Sequence, residues 1–149
     1  MVKLKPLFFK GFSVLMKYIT NSPKETVKLG IKIGKQLKPN DIIALEGDLG
    51  SGKTTLSQGI ALGTGLKDYI SSPTFTIINE YENKIPLYHI DLYRLDAGTD
   101  IKDLGIEEYF HKDGICLIEW AEKLGDLLPE NAKIIRLEIK DADKRVITI

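Results

Sequence analysis

Apolar residues fall along this chain in short runs separated by polar, turn-forming stretches. Two runs show almost no alternation. "IIALE" (42–46) and "ICLIEW" (115–120) are apolar nearly throughout, as strands are when both faces of a parallel sheet are covered. "KYIT" (17–20) is a shorter strand candidate. "NSPKETVKLGIKIGKQL" (21–37) reads as a helix: Ser22 caps it, Pro23 suits the first turn and Glu25 completes a capping box. Val27, Ile31 and Gln36 bracket an apolar stripe with Leu29, Ile33 and Leu37, which makes a broad inner face. "KTTLSQGIALGTG" (53–65) is a second helix, ending at Gly63 or Gly65.

The second half is richer in strands. "TFTIINEYE" (74–82) and "IPLYHIDLY" (85–93) predict a hairpin turning at Asn83 and Lys84. Residues 99–114 are short helical material with turns, and "AEKLGDLLPENA" (121–132) is a brief helix running into a Pro-stopped loop. "KIIRLEIKDADKRVITI" (133–149) predicts a second hairpin around "DADK". The pattern is α/β: a three-layer sandwich with a mixed, mostly parallel sheet and hairpins at its edge.

The length of 149 residues suits one domain with a real core. Lys plus Arg balances Asp plus Glu at 21 each, which argues against an independent nucleic-acid grip. Arg94, Arg136 and Arg145 are the only arginines. Cys116 stands alone inside an apolar run, so an intrachain disulfide is excluded and a buried strand position is expected. A reducing cytoplasm fits that usage. Residues 1–16, "MVKLKPLFFKGFSVLM", are basic and apolar but interrupted by Lys10 and Gly11. They match neither a signal peptide nor a membrane span. We read them as an N-terminal extension from a mis-set start codon, with a short amphipathic membrane-surface or partner-binding segment as the rival, ahead of a domain over 17–149.

The chemistry begins at "GDLGSGKTT", Gly47 to Thr55. Gly47, Asp48, Leu49, Gly50, Ser51, Gly52, Lys53 and Thr54 match G-x-x-x-x-G-K-[ST], between an apolar strand and a helix. Such a loop turns successive N–H groups toward a phosphate at a helix N-terminus. Lys53 reaches the β and γ phosphates, and the Thr54 hydroxyl ligates Mg²⁺. Hydrolysis or transfer needs further acids. Asp91 and Glu119 close apolar strands, where ligands of α/β sheets collect. The guanine-binding N-K-x-D and the D-x-x-G motif are absent, which leaves ATP.

Three further stretches, "SSPTFTIINEY", "HIDLYRL" and "IEWAEKL", follow the loop in that order. Together they make the chain from about Lys17 to Ile149 resemble the TsaE family, the bacterial ATPases of tRNA threonylcarbamoyladenosine synthesis. The resemblance implies an ATP loop over Asp48–Thr55 and a switch-like loop in which Thr74 senses the γ-phosphate or metal. It implies Asp91 and Glu119 as the acids that hold or orient Mg²⁺ and the attacking water, and Trp120 beside the nucleotide. Thr26 and Arg145 resemble positions near the nucleotide in relatives. The implied partners are a TsaD-type transferase and a TsaB-type protein, with tRNA reached through that complex and modified at adenosine 37, in the cytoplasm and with no membrane. The implied role is to couple ATP hydrolysis to resetting the complex.

The residues alone leave two rivals: a small-molecule kinase, for which three arginines are poor lid material, and a nucleotide-gated adaptor with negligible chemistry. His89 reads as a packing or hydrogen-bonding residue, while Arg94 has phosphate, Asp91 or a partner within reach. Deleting residues 1–15 is expected to leave folding and nucleotide binding intact, checked by thermal melting and ATP titration.

Overall fold

The computed structural model describes residues 15–71, 77–96, 98 and 100–149. The expectations for Thr74, for the rest of "SPTF" and for residues 1–14 therefore lie outside the described residues.

Among the described residues seven strands form one sheet in the order β1-β7-β6-β2-β5-β4-β3. They are β1 (Lys17–Thr20), β2 (Ile42–Glu46), β3 (Ile78–Tyr81), β4 (Leu87–Asp91), β5 (Ile115–Glu119), β6 (Lys133–Ile139) and β7 (Arg145–Thr148). The central strands β6, β2, β5 and β4 are parallel; β3 on one side, and β7 and β1 on the other, are antiparallel. Both expected hairpins form, as β3–β4 and β6–β7. β6 is no edge strand, however: it pairs in parallel with the loop-bearing β2, and β7 and β1 extend the sheet beyond it. Met16 adds to that edge, exchanging both backbone hydrogen bonds with Ile149.

Helices α1 (Pro23–Gly34) and α2 (Lys53–Gly63) cover one face. The Ser22 hydroxyl accepts from Glu25 N–H at 3.2 Å, as the sequence predicts. The Glu25 carboxylate reaches one residue further back than a capping box requires and accepts from the Asn21 backbone N–H. Leu29 and Ile33 of α1 and Leu56 and Ile60 of α2 pack on Ile43, Leu45, Leu117, Ile135 and Ile147. On the other face Ile42, Ala44, Ile90, Cys116 and Ile118 meet Ile106, Phe110, Ala121 and Leu124. Those partners come from short helical turns at Ile101–Leu104, Ile106–Tyr109 and Ala121–Leu127, so the third layer is thin. Cys116 is buried, and burial pushes its thiol pKa up to about 12.

The two long helices touch backbone to backbone. A Cβ on Gly34 would sit 2.1 Å from the Ile60 carbonyl oxygen, and one on Gly59 would sit 2.3 Å from that of Val27. Gly30 meets Gly59, and Gly34 meets Gly63, in the same way. Each helix thus carries two glycines four residues apart on its contact face, a pairing our sequence reading did not pick out. At the sheet's other end two left-handed residues lock the starts of β2 and β5 together. The Asn40 side chain donates to Asp113 Oδ1 at 3.1 Å, and the Asp113 N–H donates back to Asn40 Oδ1 at 3.0 Å.

Backbone cannot yield as a side chain does. Gly34→Ala is therefore expected to cost about 1–3 kcal/mol, as overpacking does. For a domain of this size that lowers the melting temperature by roughly 2–4 °C per kcal/mol. Gly98→Ala, where an added Cβ meets nothing within 4 Å, is the control and should melt like the parent.

Candidate nucleotide-binding site

The chain leaves β2 at Glu46, curls through residues 47–52 and enters α2 at Lys53. Gly50 (φ 81°) and Gly52 (φ 101°) adopt left-handed conformations that side-chain-bearing residues avoid. The Ser51 N–H donates to the Asp48 carbonyl at 3.0 Å and closes the curl. The first turn of α2, Lys53 to Thr55, brings its backbone N–H groups and the positive end of the helix dipole to the loop. An anion fits here for both reasons.

Lys53 is buried although charged. Its ammonium donates to the carbonyls of Gly47 and Asp48, the latter at 2.9 Å, and lies 4.0 Å from the centroid of the Trp120 ring. Burial lowers its pKa, opposed by the nearby carboxylates of Glu122, Glu119, Asp91 and Asp48. The loop's own carbonyls thus hold the cation where an incoming phosphate would meet it.

The two strand-end acids prove unequal. β5 lies between β2 and β4, so Glu119 is opposite both Leu45 and Asp91. Glu119 is only 2% exposed, and both its oxygens are engaged. Oε1 accepts the Thr54 hydroxyl at 2.8 Å, and Oε2 meets His89 Nε2. Asp91, one strand farther from the loop, is half-buried, and its Oδ1 accepts the Tyr93 N–H at 3.0 Å. Thr54 Oγ1 and the Glu119 carboxylate are oxygen donors at the mouth of the loop, the donor type Mg²⁺ takes. Among the described residues no three His, Cys, Asp or Glu side chains converge as a self-sufficient metal site would need. A magnesium ion completed by nucleotide phosphates suits such a place; an all-protein metal cage does not.

Trp120 leaves β5 in the left-handed region (φ 59°, ψ 40°), costing about 1–2 kcal/mol for a bulky residue. That turn lays its ring over Lys53 and against Tyr93, whose ring centroid is 5.1 Å away. Lys123, which the sequence did not single out, ties this corner together by donating to the Tyr93 and Leu95 carbonyls at 2.6 and 3.2 Å. Arg94 is exposed in the turn after β4.

On the other side of the loop, Pro23, Thr26, Gly50, Gly52, Thr55, Ala142, Asp143 and Arg145 line an open pocket of about 100 Å³. Arg145 Nη1 gathers the β6–β7 turn by donating to the Asp141, Lys144 and Ala142 carbonyls at 2.9, 3.0 and 3.2 Å. Its Nη2 donates to the Gly50 carbonyl at 3.1 Å and joins that turn to the phosphate loop. Thr26 is buried, its hydroxyl 2.7 Å from that of Thr20. The fold thus brings Thr26 and Arg145 together beside the loop, although they stand 119 positions apart in sequence. Pro23, Ala142 and Asp143 joined the pocket without a sequence signal beyond their roles in a helix start and a turn.

Comparison with known proteins gives one consistent family. Residues 20–147 match the family model described as threonylcarbamoyl adenosine biosynthesis protein TsaE. The chain is 43% identical over 134 residues to the Bacillus subtilis tRNA threonylcarbamoyladenosine biosynthesis protein TsaE, covering 89% of this chain and 84% of that one. It is 37% identical to the Treponema pallidum protein of the same name, covering 90% of this chain and 99% of the relative. The crystal structure of Bacillus subtilis YdiB superposes with a TM-score of 0.75 at 40% identity, covering 91% of this chain and 84% of that one.

A phosphate that draws Lys53 off the Trp120 ring changes the surroundings of the only tryptophan. Titration with Mg·ATP is expected to shift Trp120 emission in intensity or wavelength, and Lys53→Ala to abolish the shift. An unchanged spectrum at saturating nucleotide would separate Trp120 from the site.

Proposed function

This chain belongs to the TsaE family of threonylcarbamoyl adenosine biosynthesis proteins, and we propose that it is a Mg²⁺-dependent ATPase serving tRNA threonylcarbamoyladenosine modification. The observation that carries the reading is the Thr54–Glu119 hydrogen bond. It couples the metal-binding hydroxyl of the phosphate loop to the acid ending the neighbouring strand. A loop that only bound phosphate would need no buried carboxylate there.

In this reading the loop N–H groups and Lys53 bind the β and γ phosphates. Thr54 and Glu119 hold Mg²⁺, which when bound neutralises charge developing on the transferred phosphoryl group. Asp91, on the same sheet edge, orients the attacking water, and Thr74 senses the γ-phosphate. The pocket of Thr26, Pro23 and Arg145 takes the nucleoside end, and Trp120 flanks the phosphates. The partners are a TsaB-type protein and a TsaD-type transferase, and hydrolysis resets their complex between turnovers at adenosine 37. The balanced charge supports a chain that reaches tRNA through those partners. We assign it to the cytoplasm, a reading supported by its free, buried Cys116. Among the described residues no helix is long and apolar enough to cross a membrane.

The test is phosphate release from ATP with purified TsaB and TsaD, with and without this chain. Hydrolysis is expected to be slow alone and to rise with the partners. Glu119→Ala and Asp91→Ala should each lower kcat by about 10²-fold, the scale on which positioned acids and bases act, while ATP still binds. Wild-type turnover in both variants would refute the catalytic assignment, and phosphate arriving on a small acceptor in place of water would establish the kinase.

A further inference from the structure

His89 and Glu119 lie on adjacent strands, His89 opposite Leu117 and Glu119 opposite Asp91. Side chains two residues apart on a strand share a face. His89, Asp91, Leu117 and Glu119 therefore project to the same side as Leu87 and Ile115, the side that α1 and α2 cover. There His89 is 0% exposed. Its Nε2 meets Glu119 Oε2, and its Nδ1 is buried without a hydrogen-bond partner.

This arrangement has a direction. A carboxylate oxygen accepts, so the nitrogen facing it must carry the proton. The other ring nitrogen, Nδ1, has no hydrogen-bond partner, so Glu119 is the polar group that holds the ring. We infer that His89 is a positioning residue: its Nε2–H holds Glu119 Oε2 so that Oε1 stays turned toward Thr54 Oγ1 and the metal place at the loop. Thr54 alone anchors one oxygen and leaves the carboxylate free to pivot about it. The second anchor removes the pivot, as partners one layer behind metal ligands do. His89 reaches no loop residue in any contact described above, so its effect passes through Glu119.

This inference rests on the ATPase reading only for its kinetic arm, so two experiments are paired. The first needs neither nucleotide nor metal. Long-range ¹H–¹⁵N correlation of the two imidazoles, His89 and the exposed His111, should show His89 protonated at Nε2. A proton on Nδ1 with Nε2 bare would overturn the proposal. The second compares His89→Leu, which fills space without donating, with His89→Gln, whose amide N–H restores a donor. In partner-stimulated phosphate release, His89→Leu should raise the Mg²⁺ concentration for half-maximal rate by about 10- to 100-fold, the usual effect of losing such a partner. At saturating Mg²⁺ its KM for ATP should stay near that of the parent. His89→Gln should recover most of the Mg²⁺ response.

A His89→Leu protein with the parent's Mg²⁺ dependence refutes the inference, as does a His89→Gln protein that folds normally yet is equally impaired. If the parent itself releases no phosphate with its partners, the ATPase reading fails, and the tautomer together with Mg²⁺-dependent ADP binding still decides the role of His89. If His89→Leu does not fold, the tautomer and the His89→Gln response decide it.

Discussion

The backbone-to-backbone contact between α1 and α2 sets the geometry of everything near the loop. Helices usually meet through side chains at 8–10 Å between axes. Here a single added methyl at Gly34 or Gly59 would collide with a carbonyl oxygen of the facing helix. That closeness lets both helices lie on one face of the central strands and bury Leu29, Ile33, Leu56 and Ile60 in the same core. It also carries the start of α1, with Pro23 and Thr26, alongside the start of α2, where the phosphate loop ends. With larger residues at the seam the helices would stand apart, and the pocket shared by Thr26, Thr55 and Arg145 would lose a wall.

A second constraint is electrostatic and confined to the carboxyl edge of the sheet. Lys53, Glu119 and His89 are all buried there, and among the described residues the other buried polar side chains are the hydroxyls of Thr20, Thr26, Ser51 and Ser57. Burying such groups is costly unless each finds partners. Lys53 finds loop carbonyls and the Trp120 ring, and Glu119 finds Thr54 and His89. The donors and acceptors are therefore in place before any ligand arrives.

The helix starts, both hairpins, the buried run at Cys116 and the turn at Gly47–Gly52 were legible because each rests on residues close in sequence. Ser22 caps its helix through a contact three residues away. Gly50 and Gly52 carry the left-handed conformations their side-chain-free backbones allow. The helix seam was legible in principle, since Gly30, Gly34, Gly59 and Gly63 stand at spacings of four. Yet glycine inside a helix reads first as a weakness, and only the facing helix turns it into a contact. The sheet order was less accessible: nothing local tells that β6, the first arm of a hairpin, joins the parallel core beside β2.

By itself, then, the sequence determined that a phosphate loop lies between a buried strand and a helix, that two acids end strands, and that the motifs are those of the TsaE family. Such signals are written in neighbouring residues and in fixed spacings, and they survive without knowledge of the fold. Only the tertiary structure decided that Glu119 bonds to Thr54, because that contact depends on β5 lying beside β2. It decided equally that His89 stands behind Glu119, and that Arg145 crosses from the last strand to the loop at Gly50. These contacts join residues 30, 65 and 95 positions apart. What brings them together is the burial of apolar strands and helices, a force without direction that acts on the whole chain at once.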